Sequence, residues 1–260
     1  MTILDTINNY KQKEVAAHQI AFPEELLKSS RLFNATGRSL KKQLLDVPVA
    51  IIAEHKRKSP SKSTINDAIE LPQVINGYSS AGAAGISVLT DTKFFGGSLS
   101  DLALARSLTT TPLLRKDFII DPYQVYESKA YGADVILLIA ASLSSAEIET
   151  LSKLAKEIDL EVLVEIHSED ELEKCLIPTV DIIGVNNRNL KTFKVDIAHS
   201  LKLAKQIPSD RVKISESGIS EPAIVSQLMQ GGFQGFLMGE HFMKQKDPGK
   251  ALQNFIDEVQ

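Results

Sequence analysis

The sequence predicts an α/β fold, a closed (β/α)8 barrel behind an N-terminal helical extension, and three observations carry that prediction. Eight short β-rich apolar runs alternate with segments of helical length and amphipathic pattern, which is the signature of parallel strands joined by helices. The runs are largely apolar, so both faces of each strand need cover, and closing the sheet leaves no exposed edge. No Gly-x-Gly-x-x-Gly follows the first run, which removes the main sequence reason for an open dinucleotide-binding sheet.

The elements follow in order. Residues 1–47 form the extension: Leu4, Ile7, Val15 and Ile20 recur among polar residues as on an amphipathic helix, and Pro23 opens a further helix at Glu24-Glu25-Leu26-Leu27. Residues 48–260 form the barrel, with strands expected at 49–53, 86–90, 113–116, 134–140, 161–166, 181–186, 212–216 and 235–238. Between them, Asp121 and Pro122 open one helix, Ser144 caps another, and Gly231-Gly232 ends the helix that contains Ile224 to Met229. At 260 residues the whole chain, 1–260, suits one TIM barrel unit and does not call for a second domain.

Composition excludes several classes of function. A formal net charge of -4 argues against a non-specific nucleic-acid binder. The longest apolar runs fall far short of the roughly 20 residues that span a bilayer, so no membrane segment is expected. A single cysteine, Cys175, rules out an internal disulfide and a cysteine-rich zinc site, and the first residues lack a basic, then apolar, leader pattern; the cytoplasm is the expected location. His167, His199 and His241 share no metal-ligand spacing, so no metal is predicted. Cys175 reads as a buried structural thiol in a helical stretch.

Charge at the strand ends carries the functional signal. Side chains alternate along a strand, so Glu54 and Lys56 point to one side and His55 to the other. With Ile52 facing the barrel axis, Glu54 and Lys56 face it too. The same parity brings in Lys116 after Leu114, Glu165 after Leu163, Asn186 after Gly184 and Glu216 after Ile214. Catalytic groups of such barrels sit at the C-terminal strand ends, so these six polar groups ring one mouth. A rim ion pair would account for Glu54 and Lys56 alone. Two lysines and three glutamates in one mouth carry a desolvation cost that points instead to a working site.

The opposite side of the mouth suits an anion. Ser215-Glu-Ser-Gly-Ile219 and Leu237-Met-Gly-Glu240 follow the seventh and eighth strands, where barrels of this kind bind phosphate, and Gly218 and Gly239 let the backbone come close. As tight-turn glycines they would look the same. The basic loop from Arg57 to Lys62 is either a solvated charge run or a lid carrying Ser59 and Lys62 over an anion. Phe94, Phe95 and Phe118 form a candidate wall for a flat substrate.

Six stretches together resemble one family. Ile52-Ala-Glu-His-Lys-Arg-Lys-Ser-Pro-Ser-Lys62, Leu114-Arg-Lys-Asp-Phe118, Val164-Glu-Ile-His167, Gly184-Val-Asn-Asn-Arg-Asn-Leu190, Ser215-Glu-Ser-Gly218 and Phe236-Leu-Met-Gly-Glu240 are similar to the signature stretches of the indole-3-glycerol phosphate synthases. The resemblance runs along essentially the whole chain, extension included. It implies a carboxy-lyase of tryptophan biosynthesis that converts 1-(2-carboxyphenylamino)-1-deoxyribulose 5-phosphate to indole-3-glycerol phosphate, carbon dioxide and water, with no cofactor.

By that resemblance Lys116 is the general acid on the ketone oxygen and Glu165 assists the later loss of water. Lys56 binds the substrate carboxylate or shares the second acid step, and Glu54, Asn186 and Glu216 position the lysines and the sugar hydroxyls. Arg188 joins Lys56 at the carboxylate; Ser217, Gly218, Gly239 and the Glu240 amide hold the phosphate; and Phe95, Phe118, Leu137 and Leu237 enclose the ring. The residues agree with these roles, since a carbonyl attacked by a weak carbon nucleophile needs a proton donor, and neighbouring carboxylates keep a lysine protonated. The sequence departs from the family at His55, where an apolar residue is usual, and at Ser63, where a glycine is usual. The rivals are a non-catalytic phospholigand-binding barrel, phosphoribosylanthranilate isomerase, which needs a cysteine on the first strand, and a Schiff-base aldolase using Lys116. Association with other tryptophan-pathway enzymes stays open.

Overall fold

The computed structural model describes residues 2–60, 64–66, 68–189 and 194–260. Three helices come first: α1 (Ile3–Ala21), α2 (Glu24–Lys28) and α3 (Leu40–Asp46). Strand β1 (Ile51–His55) is followed by α4 (Leu71–Ser80), β2 (Gly85–Leu89), α5 (Thr92–Phe95), α6 (Leu99–Leu108), β3 (Leu113–Lys116), α7 (Pro122–Ala130) and β4 (Val135–Ile139). The second half continues with α8 (Ser145–Glu157), β5 (Glu161–Ile166), α9 (Glu169–Glu173), β6 (Ile182–Asn186), α10 (Ile197–Ala204), β7 (Val212–Glu216), α11 (Pro222–Gln230), β8 (Gly235–Met238), α12 (Glu240–Met243) and α13 (Pro248–Val259).

The eight strands pair in sequence order, all parallel, and β8 pairs back onto β1 through Ile51–Phe236, Ile52–Leu237 and Ala53–Met238. The barrel is closed, as the sequence predicts. Alternation along each strand sorts the apolar residues into two layers. Ile52, Leu114, Leu137, Leu163, Ile214 and Leu237 fill the barrel interior. Ile51, Ala53, Ile86, Val88, Ile136 and Leu138 face the surrounding helices. The first strand begins two residues later than expected, so Glu54 and His55 lie within β1 and not just beyond it.

Local chemistry explains the helix starts. Ser144 and Glu147 form a reciprocal cap at α8, Asp121 and Gln124 do the same at α7 with Pro122 at the first position, and Thr2 with Asp5 caps α1. The extension packs at both ends of the barrel. Leu40 and Leu44 of α3 plug the lower end, where a side chain on Gly85 or Gly235 would come within 2.5 Å of their methyl groups. Ser39 Oγ and the Lys41 amide donate to the Glu161 carboxylate, at 2.5 and 2.9 Å, and fasten this plug to β5.

The helix α1 instead crosses the upper end. Ile7, Lys11 and Val15, spaced by four, form its buried face, whereas Ile20, expected on the apolar stripe, is 84% exposed because, five residues after Val15, it falls off that face. Tyr123 Oη of α7 donates to the carbonyls of His18 and Phe22, at 3.1 and 2.8 Å, and so anchors the helix end. Among the described residues no helix is long and apolar enough to cross a membrane.

Candidate active site

The C-terminal strand ends surround a cavity of about 480 Å³. Lys116, at the end of β3, is its electrostatic centre: Nζ lies 3.1 Å from Glu165 Oε2 and 3.3 Å from Glu216 Oε2. Burial pulls the lysine pKa down, but Glu165, Glu216 and Glu54 outweigh it and hold the ammonium well above the ordinary lysine range. Burial raises the Glu165 carboxyl, while Lys116, His167 and the Asn186 amide outweigh burial and keep it ionised. In Glu216 burial wins, reinforced by the nearby Glu165 charge, and the carboxyl lies above the ordinary range. Two carboxylates sharing one ammonium thus have unlike proton affinities, which is how acid and base roles separate in a small space.

The neighbouring side chains hold this triad in register. Asn186 Nδ2 donates to Glu165 Oε1 at 3.0 Å, and Asn186 Oδ1 accepts from the Arg188 amide at 2.9 Å. Glu54 Oε1 meets Lys56 Nζ at 2.5 Å, so the pair expected from parity forms on one side of the mouth. His55 points away, as expected, and is buried; loss of solvent and the nearby Arg57 push its pKa down to about 4. Cys175 is buried too, and burial pushes its thiol up to about 12, which makes it inert. Glu216 needs room that only glycine leaves at Gly184: a Cβ there would lie 2.1 Å from Glu216 Oε1.

The remaining expected residues fall on the same cavity. Phe95, Phe118, Leu137 and Leu237 line its apolar side, with the two rings 5.9 Å apart. Phe94 does not join them; it packs edge-on against Tyr10 of α1 at 5.9 Å, so the aromatic wall has two members and not three. Ser59, Arg188, Ser217, Gly218, Gly239 and Glu240 line the other side. Ser217 and Gly218 both have left-handed backbone, φ 70° and 72°, and Asn187 Nδ2 donates to the Ser217 carbonyl at 2.7 Å to hold that turn. Arg57 is bound to both carboxylate oxygens of Asp101, at 2.6 and 3.0 Å, so the base of the first loop is anchored on α6. Lys62, expected in a lid, and Ser63, where the family usually has glycine, lie outside the described residues.

Three features escaped the sequence reading. Ile3, Leu4 and Ile7 of α1 line the cavity, so the extension supplies part of its roof. Asp117 receives Lys11 Nζ at 2.9 Å and Arg115 Nη2 at 3.0 Å, and Lys11 also meets Asp91 at 3.0 Å. This buried cluster, with Lys11 only 1% exposed, locks α1 onto the ends of β2 and β3. The signal was present, since Lys11 interrupts the apolar face Ile7–Val15 and a lysine there requires a buried partner. Third, His167, just past β5, lies beside Glu165, its Nε2 3.5 Å from Oε1 and its Nδ1 3.4 Å from Glu171 Oε2. One further step past Glu165 reaches it, beyond the last residue of the strand.

A closed parallel barrel with ammonium and carboxylate groups gathered at its C-terminal mouth defines a (β/α)8-barrel enzyme built for proton transfer. Residues 4–255 match the family model described as indole-3-glycerol phosphate synthase. The chain is 47% identical over 258 residues to the indole-3-glycerol phosphate synthase of Bacteroides thetaiotaomicron, covering 99% of each chain. It is 44% identical over 258 residues to that of Caldanaerobacter subterraneus subsp. tengcongensis, covering 99% of this chain and 98% of that one. Among solved structures, tryptophan synthase subunit alpha from Legionella pneumophila shares the fold, with a TM-score of 0.62 at 13% identity, over 86% of this chain and 99% of that one. The chain belongs to the indole-3-glycerol phosphate synthase family, a family of decarboxylating lyases of tryptophan biosynthesis.

Proposed function

We propose that this chain closes the indole ring of 1-(2-carboxyphenylamino)-1-deoxyribulose 5-phosphate, releasing carbon dioxide and water, and that Lys116 is the acid that starts the reaction. One observation carries the assignment: the Lys116 ammonium sits between Glu165 and Glu216 at the centre of the cavity, charged and aimed inward. As the ring carbon bearing the carboxylate attacks the ketone, negative charge grows on the ketone oxygen, and a fixed ammonium neutralises it by giving up a proton. Loss of carbon dioxide then restores the aromatic ring, and Glu165 serves the departure of the hydroxyl as water.

The substrate carries an anion at each end and an aromatic ring between. Lys56 and Arg188 suit the carboxylate, the Ser217–Gly218 turn with Gly239 and the Glu240 amide suits the phosphate, and Phe95 with Phe118 suits the ring. Glu54, through Lys56, and Asn186, through Glu165, serve as positioning residues. We read residues 1–260 as one barrel unit working in the cytoplasm, where its buried thiol stays reduced. The rival isomerase reading loses support because no cysteine lies on β1, which carries Glu54 instead.

The test is a fluorescence assay of indole-3-glycerol phosphate formation in wild type and Lys116→Met. Product from the wild type, with a loss of about 10²-fold or more in the variant, is expected. A folded wild type that binds the substrate and makes no product would move the chain to a phospholigand-binding role. Borohydride trapping of a substrate adduct on Lys116 would assign it to imine chemistry instead.

A further inference from the structure

Phe95 and Phe118, the two rings of the cavity wall, come from the segments after β2 and after β3, with their centroids 5.9 Å apart and their planes tilted by 39°. A flat substrate ring fits against such a wall only while that spacing is kept. Each ring is tied down at its backbone by a buried aspartate. Asp91 caps α5, its Oδ1 accepting from the amides of Phe94 and Phe95 at 2.7 and 3.2 Å. Asp117 Oδ1 accepts from the amide of Phe118 at 2.8 Å. Both carboxylates are ion-paired as well as hydrogen-bonded, which strengthens their hold on the amides.

One ammonium joins the two anchors. Lys11 Nζ lies 3.0 Å from Asp91 Oδ2 and 2.9 Å from Asp117 Oδ1. The cation comes from α1, whereas both carboxylates belong to the barrel. The same helix reaches α5 a second time through the next residue, where the Tyr10 ring meets Phe94 edge-on at 5.9 Å and Lys93 Nζ lies 4.0 Å from the centre of the Tyr10 ring. A lysine that served only to fasten α1 would need a single buried carboxylate. This one bridges the two aspartates that hold the wall residues.

We propose that Lys11 is a positioning residue that sets the spacing of Phe95 and Phe118, and with it the fit of the aromatic ring of the substrate. This rests on the reading of the two phenylalanines as the wall for that ring. Lys11 does not itself line the cavity; it acts through Asp91 and Asp117. Two carboxylates that face one cation are drawn together, and each brings the amide of a wall residue with it. Without the cation the two like charges repel in a buried site, and the anchor points separate. Asp117 keeps Arg115 Nη2 at 3.0 Å and Thr90 Oγ1 at 2.5 Å, whereas Lys11 is the one ion-pair partner of Asp91 among the described residues. The displacement therefore falls mainly on α5 and Phe95.

The experiment is a mutant cycle in the full chain between Lys11→Met and Phe95→Leu, with steady-state kinetics of ring closure below the unfolding transition of each variant. Each single substitution should raise KM about tenfold, more than it lowers kcat, and Lys11→Met added to Phe95→Leu should raise KM by no more than about twofold further. Competitive inhibition by inorganic phosphate, which reports the far end of the cavity, should keep its constant within about twofold in all three variants. Lys11→Gln, which leaves a donor for one carboxylate, repeats the cycle if the methionine variant does not fold. Effects on KM that multiply, or a phosphate constant that rises with KM, overturn the proposal in favour of general loosening at α1. A Phe95→Leu enzyme with wild-type KM overturns the reading of the ring wall, and a wild type without product overturns the functional assignment.

Discussion

At the scale of single residues, the site depends on what is absent as much as on what is present. Gly184 lies on β6 beside Glu216, and a methyl group there would occupy the space of Oε1. Gly184→Ala should displace the Glu216 carboxylate, loosen its hold on Lys116 and lower kcat by about 10²-fold, since misplacing a reacting group by about 1 Å has an effect of that order. Steady-state kinetics checks this; an alanine enzyme with wild-type kcat would show that Glu216 does not fix Lys116. Glu54, Lys56, Lys116, Glu165, Asn186 and Glu216 were legible because strand alternation is geometry that any sequence of this class obeys. His167 was not, because it lies one residue past the end of β5, where strand alternation no longer binds. Phe94 departs from the expected wall because adjacent residues of a short helix turn to different neighbours, and composition alone does not say which faces the cavity.

At the scale of elements, α1 is held to the barrel by a buried charge cluster as well as by the apolar contacts of Ile7 and Val15. Lys11→Met would leave Asp91 and Asp117 buried without their cation, and the loss should be about 3 kcal/mol in denaturant unfolding. Because Ile3, Leu4 and Ile7 roof the cavity, KM should rise as well. The pH dependence follows from Asp117. Burial raises its pKa, but Lys11 and Arg115 outweigh burial and hold it below the ordinary 3.8. A depressed folded pKa means that the stabilisation is fully present above about pH 4 and is lost as the pH falls through the folded value. The gap between wild type and Lys11→Met should therefore narrow in strong acid; a constant gap would show that the helix is held by packing alone. The helical nature of the extension was legible from its periodicity. Its destination was not, since Lys11 pairs with carboxylates far along the chain and no local pattern reports a distant partner.

At the scale of the molecule, the two ends of the barrel divide stability from chemistry. The lower end is sealed by Leu40 and Leu44 of α3, packed into the inner core with Ile52, Leu114 and Ile214. Leu44→Ala should destabilise the protein by about 2–5 kcal/mol and leave kcat and KM unchanged below the unfolding transition. Thermal melts together with initial rates test this, and a loss of activity in the folded variant would couple the two ends. The barrel itself was legible because eight largely apolar runs, several of them ending in charge, admit few other closures. The plug was not, because α3 reads as one more amphipathic helix until its leucines are seen above Gly85 and Gly235.

The bridge from Lys11 to Asp91 and Asp117 has a consequence for how the molecule breathes. The barrel is a closed ring of hydrogen bonds, and breaking it anywhere weakens every strand, whereas α1 meets the barrel through a charge cluster, a few apolar side chains and the polar contacts of His18 and Phe22 with α7. Opening at α1 is then a separate, lower-energy fluctuation than global unfolding. The chain carries its roof as a unit that can detach and reseat while the catalytic floor stays assembled, so substrate entry need not disturb the strands that hold the acid and its carboxylates.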